Sequence, residues 1–138
     1  MTIRILFFLL ATTLLGACSS SGKSTADSEK RLIFGSGGGF TGQYIMHQLN
    51  SDGRVFIVLA DSSKQQLKKL RKKQTREIFA QADKIHNTQP AFSQPYNMTW
   101  FIIYYSGNDV TEYKWGDPDM PVAAGIKDFY TQLNAIVK

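Results

Sequence analysis

The sequence predicts an α+β domain in which helices pack on one face of an antiparallel sheet of four to five strands, in the order ββ(β)αββα. Two observations support this fold class. Runs of β-branched and aromatic residues are separated by short turn sequences, which favours antiparallel pairing of consecutive strands. Two other stretches repeat their apolar residues at the spacing of one helix face. Helices gathered on one face of such a sheet define the α+β class.

The first half of the folded part is predicted to be a meander of short strands. Residues 31–34 are apolar and end in a glycine cluster, and β-prone residues resume at 43–49. Residues 50–53 predict a tight turn, because their Asp-Gly pair supplies the positive φ that a hairpin needs. Residues 54–60 are apolar at both odd and even positions, which predicts a strand covered on both faces.

The middle of the chain predicts one or two helices. Ser62 or Ser63 can cap the start, and the apolar residues that follow recur at helical intervals. The stripe is interrupted at Gln74, which leaves open two short helices that meet near residues 73–75. A loop marked by Pro90 and Pro95 follows. The apolar stripe consists of Leu67, Leu70, Ile78, Ala82 and Ile85.

The last third predicts a hairpin and a C-terminal helix. Residues 97–105 are the most β-prone run of the chain, and a turn at 106–109 leads into residues 110–115, so we expect two paired strands. Pro121 stands where the first turn of a helix tolerates proline. The apolar face of the helix consists of Val122, Ile126, Phe129, Tyr130, Leu133, Ile136 and Val137.

The first 17 residues predict a secretory signal peptide. Arg4 gives a positive start, residues 5–15 are apolar, and small residues follow. The apolar run is too short to cross the ~30 Å hydrocarbon core comfortably as a helix, so a permanent membrane span is the weaker interpretation.

The end of this segment resembles a bacterial lipobox. Leu15, Gly16 and Ala17 immediately precede Cys18, the only cysteine of the chain. The resemblance implies diacylglyceryl transfer to the Cys18 thiol, cleavage after Ala17 and acylation of the new amino terminus. An ordinary signal peptide that happens to contain a cysteine is the alternative. Lipidation explains a lone thiol in an exported protein, and two or more acyl chains anchor a protein stably without a membrane span.

The predicted organisation has three parts. Residues 1–17 form the lipoprotein signal peptide, residues 18–30 contain the lipidated cysteine and a flexible serine-rich tether, and residues 31–138 form one α+β domain. The expected location is the cell envelope. Ser19 after the cysteine favours the outer membrane if the bacterium has two membranes. The sequence does not decide between the periplasmic and the outer surface of that membrane. The formal charge falls from +5 to +4 when Arg4 is removed, too little to imply a nucleic-acid partner.

A glycine-rich stretch is the most distinctive local feature. Residues 34–42 contain five glycines and include a match to the pattern G-x-G-x-x-G. A dinucleotide site needs this pattern between a strand and a helix, but a turn signal arrives at 50–53 instead of a helix, so no cofactor is expected. A bend or bulge between two strands is the structural interpretation. The functional one is a loop whose N–H groups bind an anion or a partner. The candidate binding loop consists of Gly37, Gly38, Gly39, Phe40, Thr41 and Gly42.

The stretch from Phe34 to Gly42, the basic middle segment and Trp115-Gly116 resemble small uncharacterised lipoproteins of Bacteroidota-type bacteria. The similarity covers most of residues 31–138, but only the glycine stretch is distinctive. The group has no assigned activity, so the resemblance implies no catalytic residues. It implies that the glycine loop is the feature of interest.

A basic segment is the second conspicuous feature. Residues 64–76 contain seven basic residues and no acidic residue. In a helix, Lys64, Lys68, Lys72 and Arg76 would align as one cationic ridge. A solvated helix face is one interpretation, and contact with anionic lipid headgroups or envelope polysaccharide is the other.

The sequence shows no constellation typical of catalysis or metal binding. His47 and His86 lie far apart, and no serine stands in G-x-S-x-G. Asp117 and Asp119 flank Pro118 and are interpreted as capping or turn residues. We therefore expect no catalytic residues, no metal and no cofactor.

The leading hypothesis is a non-enzymatic envelope lipoprotein that acts as a binding module. It would use the glycine loop and aromatic residues such as Tyr44, Tyr104 or Trp115. Its expected partners are the membrane, through the N-terminal lipid, and another envelope protein or an anionic envelope surface. The alternative is a small envelope hydrolase or carbohydrate-acting enzyme. A binding module predicts an exposed loop without converging titratable groups, whereas an enzyme predicts a cleft that contains them.

Overall fold

A computed structural model describes residues 30–138 of the chain. The predicted signal peptide and the recognition residues Leu15, Gly16, Ala17 and Cys18 lie outside the described residues. The described part contains seven strands and two helices, so the predicted α+β class is confirmed. In chain order the elements are β1 (Arg31–Gly38), β2 (Gln43–Asn50), β3 (Arg54–Val58), β4 (Lys64–Lys69), α1 (Lys72–Thr88), β5 (Phe92–Gln94), β6 (Met98–Ser106), β7 (Asp109–Trp115) and α2 (Ala124–Ala135).

The strands form one mixed sheet in the order β4-β3-β2-β1-β6-β7-β5. All neighbouring strands are antiparallel except β5, which runs parallel to β7. The prediction of four to five antiparallel strands is therefore wrong in number and in one direction. β1 lies in the middle and pairs along all eight of its residues with both β2 and β6.

The two strands that the sequence did not predict are the two edges of the sheet. Residues 64–69 form β4 rather than the start of a helix, and all six of their side chains are exposed. Leu67 and Leu70 fit a helical stripe by spacing alone, whereas pairing with β3 decides the conformation. β5 has only three residues and lies between Pro90 and Pro95, in a segment that looks like a loop.

Helix α1 is one continuous helix through residues 73–75, not two. It begins at Lys72, preceded by the N-cap residue Arg71, so Ser62 and Ser63 do not cap it. The second helix, α2, begins at Ala124, three residues after the proline expected in its first turn. The loop before α2 is therefore longer than predicted.

The core lies between the two helices and one face of the sheet. Alternate residues of the central strands point to this face, as expected for strands half-covered by helices. Burying each large apolar side chain contributes about 1.5–3 kcal/mol. The buried core consists of Leu32, Phe34, Leu49, Val55, Ile102, Tyr104, Tyr113 and Trp115 of the sheet, Ile78, Phe79, Ala82 and Ile85 of α1, and Ile126, Phe129, Leu133 and Ile136 at α2.

The opposite face of the sheet, which we call the open face, has no described helix packed against it. Phe56 and Val58 alternate with the buried Val55 and are only half-buried. The prediction that residues 54–60 are covered on both faces is therefore wrong. Charged side chains screen part of the open face, for example the Arg31 guanidinium, which lies 3.9 Å from the centre of the Tyr105 ring.

The sheet has two ends along the strand direction: the proximal end, where the described chain enters β1, and the distal end, where β1 turns into β2. At the proximal end β1 begins, and the Ser51 N–H donates to the Lys30 carbonyl at 3.1 Å. The segment before α1 lies there too, because the Leu70 N–H donates to the Gly53 carbonyl at 2.9 Å. At the distal end, the turn between β1 and β2 contacts the connection between β5 and β6.

Candidate binding surface at the distal end of the sheet

The glycine stretch forms the end of β1 and a hairpin turn. β1 continues through Gly38, a single 3₁₀ turn covers Gly39–Thr41, and β2 begins at Gln43. Gly38 has φ +103° and Gly42 has φ +61°, values that favour glycine. The stretch thus connects two antiparallel strands, so it lacks the strand–loop–helix arrangement that dinucleotide binding requires.

Two glycines of β1 provide space for aromatic rings on the open face. Gly37 pairs with Tyr44, and a β-carbon on Gly37 would overlap the Tyr44 ring. Gly35 pairs with Phe101, and a β-carbon on Gly35 would overlap the Ile45 carbonyl oxygen and come within 3.0 Å of the Phe101 Cζ atom. The two rings lie 6.1 Å apart between centroids. The glycines therefore let rings from both neighbouring strands pack onto the β1 backbone, which stiffens the hairpin.

Five exposed apolar side chains gather around this hairpin, and we call them the aromatic tip. Phe40, at the apex of the turn, is fully exposed. The Gly39 N–H donates to the Asn97 carbonyl at 2.5 Å, which brings residues 96–98 beside the turn. The aromatic tip consists of Phe40, Tyr44, Ile45, Tyr96 and Met98.

The aromatic tip belongs to two uncharged parts of the chain. Residues 32–51 and residues 85–108 contain no Asp, Glu, Lys or Arg. Scattered apolar residues are normal on a protein surface, but a contiguous apolar patch without charges typically marks an interaction site. The residues of the aromatic tip are themselves uncharged and exposed, while Lys114 and Lys127 line the cavities beside them.

Two cavities flank the aromatic tip. On the open face, a cavity of about 380 Å³ is lined by Tyr44, Met46, Pro95 and Phe101, among others. On the helix face, a cavity of about 440 Å³ is lined by residues that include Trp100, Trp115, Tyr130 and Lys127.

Helix α2 supports the glycine stretch from the helix face. The Tyr130 hydroxyl donates to the Gly35 carbonyl at 3.0 Å, and its ring meets the Trp115 ring edge-on at 5.1 Å. Trp115 is itself buried. The distal end of β1 is therefore fixed by packing on both faces.

Within residues 30–138, His47, His86 and Asp117 each contact different neighbours. The His47 ring stacks on Phe34 at 5.7 Å, and burial lowers the pKa of His47. Among residues 30–138, the buried His47 Nδ1 atom has no hydrogen-bond partner. His86 bonds to the Thr111 hydroxyl at 2.6 Å, and Asp117 accepts the Asp119 N–H at 3.0 Å. His47 therefore packs against the core residue Phe34, while His86 and Asp117 bond to neighbouring residues.

No group of three or more His, Cys, Asp or Glu side chains within the described part of the chain could hold a metal ion. Its helices are too short or too polar for any of them to cross a membrane.

A polar cluster joins α1 to the proximal end. Asp83 accepts hydrogen bonds from Lys30 Nζ at 2.8 and 2.9 Å and from the Tyr104 hydroxyl at 2.6 Å. Burial opposes ionisation of Asp83, but these bonds outweigh it and hold the Asp83 pKa below its ordinary value. Burial, together with the bond to Asp83, raises the pKa of Tyr104 to about 12. Tyr104 is thus a buried structural residue, and its expected role in partner contact is wrong, whereas Tyr44 belongs to the aromatic tip.

The predicted cationic ridge does not form. Lys64 and Lys68 lie on β4, on either side of a β-bulge, while Lys72 and Arg76 lie on α1. The four residues therefore do not share one helix face. Lys72 and Arg76 instead lie with Lys30 and Lys69 around a cavity of about 580 Å³ at the proximal end.

No protein-family model matches the chain, and a search of curated proteins found no significant match. The resemblance to Bacteroidota-type lipoproteins therefore stays a prediction.

Two of the five residues of the aromatic tip are candidates in the sequence, and three are not. Phe40 and Tyr44 are candidates because of the glycines. Ile45, Tyr96 and Met98 are not, and the last two lie beside the turn because Met98 pairs with Gly38 and the Gly39 N–H donates to the Asn97 carbonyl. The absence of charge in residues 85–108 is a signal that could have pointed to them.

Proposed function

We propose that this protein is a membrane-anchored lipoprotein of the cell envelope that acts as a non-enzymatic binding module. Its aromatic tip would bind another envelope protein through an uncharged, apolar surface of that partner. The observation that carries this proposal is Phe40, a fully exposed aromatic ring at the apex of a hairpin that is packed on both faces.

The composition of the aromatic tip supports a protein partner. Interface cores are enriched in aromatic residues and methionine and depleted of charged residues. Anchors on a rigid backbone lose little conformational entropy on binding. Burying the Phe40 ring alone would contribute about 1.5–3 kcal/mol. The site thus resembles the small aromatic hot spots that dominate many interfaces.

The position of the aromatic tip agrees with an N-terminal lipid anchor. The expected anchor at Cys18 would join the domain through Lys30, at the proximal end. The eight residues of β1 separate this end from the turn by roughly 25 Å at about 3.3 Å per residue. A protein held by its N terminus could therefore present the aromatic tip away from the membrane that holds it.

The described titratable groups favour binding over hydrolysis. Hydrolases need a nucleophile or activated water, a base and a stabilising donor within reach of one another. His47 stacks on Phe34, and His86 and Asp83 are engaged in contacts between α1 and the sheet. An exposed hairpin whose neighbouring titratable groups are held in structural contacts is the arrangement expected for a binding module.

The lipid anchor is tested by metabolic labelling with a palmitate analogue. We expect label on the wild-type protein and none on the Cys18→Ser variant, which would stay uncleaved. Label retained on Cys18→Ser, or an unlabelled wild type, would contradict the proposed anchor.

The binding surface is tested by photo-crosslinking in intact cells. A photoreactive amino acid is placed at Phe40 or, as the matched control, at Val110, which is also an exposed apolar residue but lies at the proximal end. We expect one discrete protein adduct from position 40 and none from position 110. The adduct should weaken when Tyr96→Ser is added. Adducts to lipid alone, or equal adducts from both positions, would refute the proposal.

A further inference from the structure

We infer that the cavity at the proximal end is a binding site for the phosphate headgroups of anionic lipids. We call it the basic cavity. This inference deepens the proposed function, because the anchor would hold the domain at a membrane, but the test below needs no anchor. The rim of the basic cavity consists of Lys30, Lys69, Lys72 and Arg76, and Ser51, Thr75, Leu70, Phe79, Ala80, Asp52 and Asp83 complete its lining.

The two acids of the basic cavity already have cationic partners. Asp52 forms an ion pair with Arg54 at 2.5 Å, and Asp83 forms one with Lys30 at 2.8 Å. No ion pair within residues 30–138 involves Lys69, Lys72 or Arg76. The basic cavity therefore has three cations left for an anionic ligand. Lys69 belongs to β4, and Lys72 and Arg76 belong to α1, so these cations do not form the single helix face that the sequence predicts.

The start of α1 adds to this positive potential. Helix N-termini usually carry an acidic first turn or a capping side chain, because the helix dipole is positive there. In the described structure, Arg71 at the N-cap makes no side-chain cap bond, and the first turn contains no acid. Lys72 and Lys73 stand there instead. These charges repel one another and the dipole, and a bound phosphate group would offset that repulsion.

The mixed lining of the basic cavity favours a lipid over a free anion. Its polar groups, including Ser51 and Thr75, lie beside apolar side chains of Leu70 and Phe79. A headgroup needs phosphate-binding cations and a less polar surface for the glycerol backbone beneath it. The cationic surface also continues past the rim, because Lys68 and Arg71 line an adjoining cavity with Lys69.

The location of the basic cavity gives it access to a membrane. The Lys30 carbonyl accepts the Ser51 N–H, and Gly53 binds Leu70, so the N-terminal end of the domain and the basic cavity are neighbours. Polybasic surfaces beside a membrane attachment point are attracted to anionic lipids over about one Debye length. Binding there would orient the domain with the aromatic tip pointing outward.

The experiment uses residues 18–138 with Cys18→Ser, which carry no lipid, and sedimentation with phosphatidylcholine vesicles that either contain or lack phosphatidylglycerol. We expect binding only to the vesicles with phosphatidylglycerol, weakening as salt is added. Lys69→Gln with Lys72→Gln should weaken binding roughly 25-fold, or about fivefold for each charge removed. Both side chains are exposed, and circular dichroism checks that the variant is folded.

The matched control is Lys64→Gln with Lys127→Gln, which removes the same charge from exposed positions outside the basic cavity. We expect this variant to bind within about twofold of the parent protein. An equal loss in both double variants would mean attraction by net charge alone and would overturn the inference. So would equal binding to both kinds of vesicle. Phe40→Ser should leave vesicle binding unchanged, so failure of the aromatic tip as a binding site would be a separate result.

Discussion

The phenol ring of Tyr44 lies on the backbone of Gly37, its partner across the β1–β2 ladder, where a β-carbon would overlap the ring. Gly37→Ala therefore forces either the ring or the strand to move. We expect this variant to lower the free energy of unfolding by roughly 1–3 kcal/mol, the usual cost of overpacking. Urea unfolding measures the change.

Gly125→Ala is the matched control for this prediction. In the described structure nothing lies within 4 Å of a β-carbon added to Gly125, which is in the first turn of α2. Alanine is favoured over glycine in helices by up to about 1 kcal/mol, so this variant should be neutral or stabilised. A similar loss of stability in both variants would show that ring packing is not the reason.

Truncation of Phe40 should hardly change stability, whereas truncation of Phe129 should lower it strongly. Phe40 is fully exposed and Phe129 is 1% exposed. We expect Phe40→Ala to change the free energy of unfolding by less than about 0.5 kcal/mol, and Phe129→Ala to cost roughly 3–5 kcal/mol. Thermal unfolding of both variants checks this. A large loss for Phe40→Ala would mean that the ring stabilises the fold and is not free for a partner.

The hydrogen bond from Tyr104 to Asp83 should contribute measurably to stability. Tyr104→Phe removes only the hydroxyl, and we expect a loss of about 1 kcal/mol, at the low end for a bond to a charged group because Asp83 is partly exposed. Tyr105→Phe is the control, because no hydrogen bond of the Tyr105 hydroxyl is present in the described structure. Equal effects of the two variants would argue against a special role for this bond.

Asp83 also makes stability depend on pH in the acidic range. Its pKa is lower in the folded protein than the ordinary 3.8, so its stabilising effect is complete above that value. The effect disappears as the pH falls through the folded pKa and the carboxylate is protonated. We expect the wild type and Asp83→Asn to differ in unfolding free energy at pH 6 and to converge toward pH 2, as measured by urea unfolding across that range. A constant difference would contradict this assignment.

The same cluster predicts a limit at alkaline pH. The raised pKa of Tyr104, about 12 against an ordinary 10.0, means that folding favours the protonated phenol. Its contribution is present below pH 10 and is lost as the pH rises toward 12. Lys30 acts in the same direction, because its bond to Asp83 raises the Lys30 pKa. In Tyr104→Phe, the decline in stability above pH 10 should be smaller than in the wild type.

Local patterns were sufficient where local interactions decide the structure. The β6–β7 hairpin was predicted because its β-prone runs flank a short turn, and the face of α2 because its apolar spacing is regular. β4 could not be predicted in this way. Its lysines and glutamines have no strong preference for a strand, and its conformation depends on pairing with β3, a contact outside its own sequence.

The candidate site shows the same division. The glycines were conspicuous in the sequence, but their partners Tyr44 and Phe101 become evident only from the register of three strands. Tyr104 and Tyr44 are both candidate aromatic contacts of a binding module in the sequence. Tyr104 is buried and Tyr44 is exposed, a difference that residue type alone does not predict.

The central position of β1 has a mechanical consequence. One end of this strand continues toward the N terminus and the other leads into the aromatic tip, while β2 and β6 are bonded along both of its sides. A pulling force between the two ends would act along the strand and strain both ladders in shear. Many hydrogen bonds would then have to break together, whereas an edge strand peeled sideways would lose them one at a time.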